Sequence, residues 1–127
     1  MKMFVENLKK FFKKEEMIVP AGLTFKFLVK PMLTKQYQKR FKYGLVHKSG
    51  LSEYYKILDV EFFENYKGKQ MLIKVFCPEP VVAIEKSKEN EFYNQMKNKF
   101  SEWVINTLKD NKYDCKHHEF NHTVRLA

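Results

Sequence analysis

The chain has 127 residues, 44% of them hydrophobic and 16% aromatic, enough for one core burying roughly two thirds of the unfolded surface; disorder and a disulfide-built scaffold are excluded. Its net charge of +9 is local, because residues 1–48 hold 12 Lys or Arg against 3 Asp or Glu while residues 49–127 hold 12 against 12, and residues 17–52 hold no acid. No stretch approaches the roughly 20 apolar residues of a membrane span, no signal-peptide run opens the chain, and two cysteines, Cys77 and Cys115, read as free thiols of a cytoplasmic protein.

From Lys2 to Glu16, Phe4, Leu8, Phe11 and Phe12 recur at helical spacing among lysines, which predicts an amphipathic helix docked on the core. The same stripe could instead lie in a membrane surface, a peripheral contact through residues 1–16. Pro20 and Gly22 then close the helix.

Leu23, Phe25, Phe27 and Val29 alternate with Thr24, Lys26, Leu28 and Lys30, the pattern of a half-buried strand. Residues 35–48 fit two periods. Leu33, Tyr37, Phe41 and Leu45 suit a helix, whereas Tyr37, Phe41, Tyr43 and Leu45 suit a strand, and Gly44 with Tyr43 favours the strand. The expectation is a hairpin from Leu23 to Lys48 in which Lys26, Lys30, Gln36, Gln38, Arg40 and Lys42 share one acid-free face.

A second hairpin joins 54–64 to 69–77, with Met71, Ile73, Val75 and Cys77 inward; Pro78 and Pro80 end it, and 81–84 adds a short strand. Over 87–111, Phe92, Met96, Phe100, Trp103, Val104 and Leu108 form one helical stripe, with Glu89 and Glu91 at its start and Lys109 at its end, as the helix dipole favours. Phe120, Val124 and Leu126 suit an edge strand. The fold expected is a single α+β domain spanning 1–127: an antiparallel sheet of about five strands, an N-terminal amphipathic helix, and a long C-terminal helix packed on the sheet.

Chemistry-bearing residues are sparse. Cys115, His117, His118 and His122 cluster in the tail, but no spacing among Cys115, His118 and His122 matches a structural zinc pattern, so the segment reads as a solvated loop and no metal or other cofactor is assigned. Asp59 and Glu61 share a strand face without the lysine spacing of a metal-dependent nuclease. His47 and Ser49 form one His-any-Ser triplet, whose second copy a two-histidine phosphoesterase requires and this chain lacks. No phosphate loop or nucleophile elbow is present, and the chain reads as a non-enzyme.

What remains is the acid-free segment. Basic side chains interleaved with aromatics neutralise phosphates and stack bases, which points to nucleic acid, with Lys9, Lys13, Lys26, Lys30, Arg40 and Lys42 as the contacts. The basic residues include only two arginines, Arg40 and Arg125, so base-specific readout is not expected, and an AT-rich genome accounts for part of the lysine surplus. The alternative is a small inhibitor or adaptor, of phage or mobile-element type, whose basic face docks on an acidic protein surface. Oligomeric state is not legible.

Overall fold

The computed structural model describes residues 16–56, 58–66 and 69–123. The predicted N-terminal helix, with Lys9 and Lys13, lies outside the described residues, as do Val124 and Leu126. The elements are β1 (Met17–Ile18), β2 (Gly22–Lys30), α1 (Lys35–His47), β3 (Asp59–Tyr66), β4 (Gln70–Cys77), β5 (Ile84–Glu85), α2 (Glu89–Asp110) and β6 (Asp114–Thr123), with short 3-10 turns at Leu51–Glu53 and Lys86–Lys88.

β3, β4, β2 and β6, in that order, form a four-stranded antiparallel sheet. Taken with α1 and α2, the connectivity is β-α-β-β-α-β, the split arrangement of ferredoxin-like sandwiches. The five-strand sheet is corrected to four strands plus a separate ladder, in which β1 pairs with β5. Pro78 and Pro80 carry the chain off the main sheet, so Ile84 and Glu85 meet Ile18 and Met17 instead.

Strict alternation explains the centre of the sheet. Leu23, Phe25, Phe27 and Val29 of β2 lie opposite Cys77, Val75, Ile73 and Met71 of β4, and all eight are buried. They join the buried stripes of both helices in one core, where Phe41 of α1 meets Phe62 of β3 and Trp103 of α2, and Tyr54 meets Phe92 and Phe100. Both helices therefore cover one sheet face. Gly22 suits the start of β2, since a Cβ there would press on backbone, 3.0 Å from the Cys77 carbonyl oxygen.

Two tyrosines hold the peptide groups of Ala21, just before β2. The Tyr93 hydroxyl accepts from the Ala21 N–H at 2.9 Å while donating to Glu89 Oε2 at 2.9 Å, and the buried Tyr55 hydroxyl donates to the Ala21 carbonyl at 2.7 Å. A chain turning into a central strand leaves such groups unpaired unless side chains reach them.

The tail is a strand and not a solvated loop. β6 runs along β2 for ten residues, with Cys115, His117, Phe120 and His122 placed opposite the inward residues Val29, Phe27, Phe25 and Leu23. A bulge at His118, between the pairs Phe27–His117 and Lys26–Glu119, shifts the period, so alternation fails in the sequence although it holds on either side.

Candidate nucleic-acid interface

The six predicted contacts do not form one surface. Residues 35–47 are helical, so the expected hairpin and its basic face do not exist: Lys26 and Lys30 lie on the sheet, Arg40 and Lys42 on a helix, and Lys9 and Lys13 outside the described residues. Thr34 decides the local choice. Its side chain accepts from the Tyr37 N–H at 3.1 Å, its carbonyl accepts from Gln38 N–H at 2.9 Å, and the stripe Leu33, Phe41 and Leu45 enters the core. Tyr43, off that stripe, is simply exposed.

On the sheet face turned away from the helices, the lysines meet acids. Across the four strands, Glu61 pairs with Lys74, Lys74 with Lys26 and Lys26 with Glu119, an acid-base-base-acid row. Lys26 Nζ lies 3.0 Å from Glu119 Oε2, with the side chains 31% and 44% exposed. The Asn121 amide, 3.0 Å away, and then Lys26 hold the Glu119 carboxyl below the ordinary carboxylate range. Lys30 stands opposite Asp114 in the register. Two of the six predicted contacts thus stand beside acids, Lys26 in an ion pair and Lys30 as a register neighbour.

α1 is different. It carries Lys35, Lys39, Arg40 and Lys42, with Lys48 at its C-terminal cap, and no carboxylate. Lys35, Lys39 and Lys42 fall at i, i+4 and i+7 on one exposed face, where like charges repel by a few tenths of a kcal/mol per pair. Lys35 also occupies the first helical position, at the positive end of the dipole. Its pairing with Glu64, at 3.5 Å between side chains 84% and 50% exposed, contributes little. At the first turn and along this face the local electrostatic rules are broken in the direction of more positive potential, while His47 and Lys48 suit the C-terminal end of the dipole.

Between α1 and α2 lies a groove of about 480 Å³. Tyr37, Phe41 and Gly44 of α1 and Trp103, Thr107 and Asn111 from the α2 side form its walls, with Lys39, Arg40, Tyr43 and Lys48 around it. Among the described residues no carboxylate lines it; Glu102 and Asp110 belong to an adjoining hollow beside Lys99. The Arg40 guanidinium sits 5.9 Å from the centre of the Tyr37 ring, which packs on Tyr113 at 5.0 Å. Burial, then the neighbouring Tyr113, raises the Tyr37 phenol above its ordinary range, so it remains a neutral O–H. Tyr43 is 61% exposed and rests against His47 at 4.3 Å between rings.

The other constellations resolve into structure. Cys115 and His122 lie seven strand residues apart, a separation of roughly 20 Å or more, and cannot share an ion; the inward thiol of Cys115 is pushed by burial up to about 12. No group of three metal-ligating side chains exists among the described residues. The Ser49 hydroxyl donates to the Leu45 carbonyl and accepts from Leu51 N–H at 3.1 Å, closing α1, which leaves His47 without a chemical partner in that triplet. Asp59 and Glu61 do share a face, opposite Phe76 and Lys74.

One contact was not foreseen: Ser101 Oγ lies 3.4 Å from His117 Nδ1. Ser101 is buried in mid-helix, where the neighbouring backbone N–H groups are spent on helix bonds and offer no oxyanion donors, so the pair packs α2 on β6. No helix among the described residues is long and apolar enough to cross a membrane. Comparison with protein-family models, curated proteins and solved structures returns no match.

Proposed function

We propose that the protein is a non-enzymatic binding protein that takes nucleic acid through phosphate neutralisation, with little sequence preference, and that its contact surface is α1. The observation that carries this is the five cations Lys35, Lys39, Arg40, Lys42 and Lys48 on one helix and its cap with no acid among them. The earlier contact set is thereby narrowed: Arg40 and Lys42 stay, Lys39 and Lys48 join them, and Lys26 and Lys30 drop out because Glu119 and Asp114 face them.

Salt dependence is the test. Each neutralised phosphate adds about 0.9 to the slope of log affinity against log salt for duplex, so four contacts weaken binding roughly a hundredfold between about 50 and 200 mM. Absence of binding to both DNA and RNA at about 50 mM salt overturns the proposal. Recovery of one stoichiometric protein partner after nuclease treatment would favour the inhibitor or adaptor reading, in which α1 meets an acidic protein surface.

A further inference from the structure

We infer that the groove between α1 and α2 seats one unpaired base of a single-stranded nucleic acid, its flanking phosphates resting on Arg40, Lys39 and Lys48. This rests on the reading of α1 as the polyanion-binding face and adds the class of strand. The groove's 480 Å³ lies within the range of nucleotide-sized sites. Its composition is that of a base site: the Trp103 and Tyr37 rings, neutral polar groups on Thr107 and Asn111, and cations with no carboxylate among the described residues that line it. The Asn111 amide is already oriented, its Nδ2 donating to the Thr107 carbonyl at 2.8 Å and its side chain hydrogen-bonded to the Tyr37 phenol, so both polar groups are held at the groove wall.

Gly44 supplies an independent argument. Glycine inside a helix is disfavoured relative to alanine, and a Cβ at this position would stand 3.5 Å from Trp103 Cη2, an ordinary contact that nothing forbids. Packing therefore does not demand glycine here. What the missing side chain leaves is an uncovered edge of the Trp103 ring facing the groove. A paired base already stacks on both of its neighbours and cannot turn a face into this space, whereas an unpaired one can.

Trp103 is the single tryptophan of the chain, so its emission reports the groove directly. The full chain is titrated with oligothymidylate of roughly 12 nucleotides and with duplex of the same length, at about 50 mM salt. The expected result is quenching of Trp103 by the single strand, weaker or no quenching by duplex, and affinity at least roughly tenfold higher for the strand, the value of one stacked base. Gly44→Leu, which fills the groove, should remove the quenching and the preference while duplex binding and its salt slope persist. Tyr43→Ala, at an exposed position that folding does not depend on, should lower single-strand affinity severalfold and leave duplex affinity unchanged.

Equal affinity for strand and duplex, or saturating strand binding with unchanged Trp103 emission, overturns the inference and leaves the phosphate-binding reading standing. Quenching by thymidine monophosphate as effective per nucleotide as by the strand also overturns it, because the groove would then hold a free nucleotide. Failure of both strand and duplex to bind removes the underlying reading as well.

Discussion

Lys26 of β2 and Glu119 of β6 meet at 3.0 Å across neighbouring strands, so a lysine in the acid-free segment finds its counter-ion near the far end of the chain. The sequence-local excess of charge divides accordingly. Among the described residues, Lys26 of its sheet portion is answered by Glu119, whereas on its helical portion Lys35 alone meets an acid, Glu64, between exposed side chains.

Lys26→Met should therefore leave affinity for oligonucleotides within about twofold of the parent, in contrast to changes on α1. It should also raise the Glu119 carboxyl, as should loss of the Asn121 amide, because both partners lower it. A carboxyl whose folded value is lowered stabilises the fold above the ordinary carboxylate range, and that contribution fades as pH falls through the lowered folded value. A side-chain carboxyl NMR titration of parent, Lys26→Met and Asn121→Ala reads both effects; an unmoved Glu119 in Lys26→Met refutes the assignment.

On α1, stability and binding should move in opposite directions. Lys39→Glu places a carboxylate one turn from both Lys35 and Lys42, replacing repulsion by attraction and stabilising the helix by about 0.5 kcal/mol. The same change should reduce the salt slope for duplex by about 1 and weaken binding at low salt. Denaturant melts and a salt series on one preparation check the pair of outcomes. A destabilised variant with unaltered binding contradicts both.

Removing one hydroxyl should cost more than removing a surface charge. Tyr93→Phe deletes the acceptor of the part-buried Ala21 N–H beneath the start of β2, and leaving that donor unpaired should cost about 1 kcal/mol, the low end of the range for a buried one. The loss should appear in the urea midpoint with an unchanged slope, and the affinity of α1 for nucleic acid should not change.

His117 gives the fold an acid-side weakness. Burial, then the charges of Lys97 and His118, hold its imidazole below the ordinary histidine range, and Ser101 Oγ contacts its Nδ1. The folded state thus binds fewer protons than the unfolded one as pH drops below about 6.5, so stability is complete above that value and declines beneath it until the folded pKa is reached. His117→Asn should flatten this decline in melting temperature between about pH 6.5 and 5. A decline of the same steepness in the variant would assign it to carboxylates instead.

Regular periodicity made much of this fold legible. β2, β4 and α2 stand where alternation or a helical stripe placed them, because each has a complete set of apolar residues on one face. α1 was misread since Tyr37, Phe41 and Leu45 satisfy both periods, and the deciding residue, Thr34, acts through a cap and not through hydrophobicity. Of β6 only the part around Phe120 was read as an edge strand, because the positions opposite Phe27 and Leu23 hold histidines and the bulge breaks the alternation. Of the proposed interface, Arg40 and Lys42 were read as residues of a strand face, whereas they lie on α1. Trp103 was assigned only to the helical core stripe, since its place in the wall of the groove depends on which side of α1 the glycine faces. The neutralisation of Lys26 is a contact between distant segments, which no local pattern encodes.

Both outer strands of the four-stranded sheet are irregular: β6 carries the bulge at His118, and the β3 register slips between Phe63 and Tyr66. An edge strand with an even row of free N–H and C=O groups is a template for another chain, and a bulge interrupts that row. The rims of the sheet are thus poor starting points for end-on growth into fibres. A basic protein concentrated along a polyanion, copy beside copy, would meet its neighbours through surfaces that do not zip together.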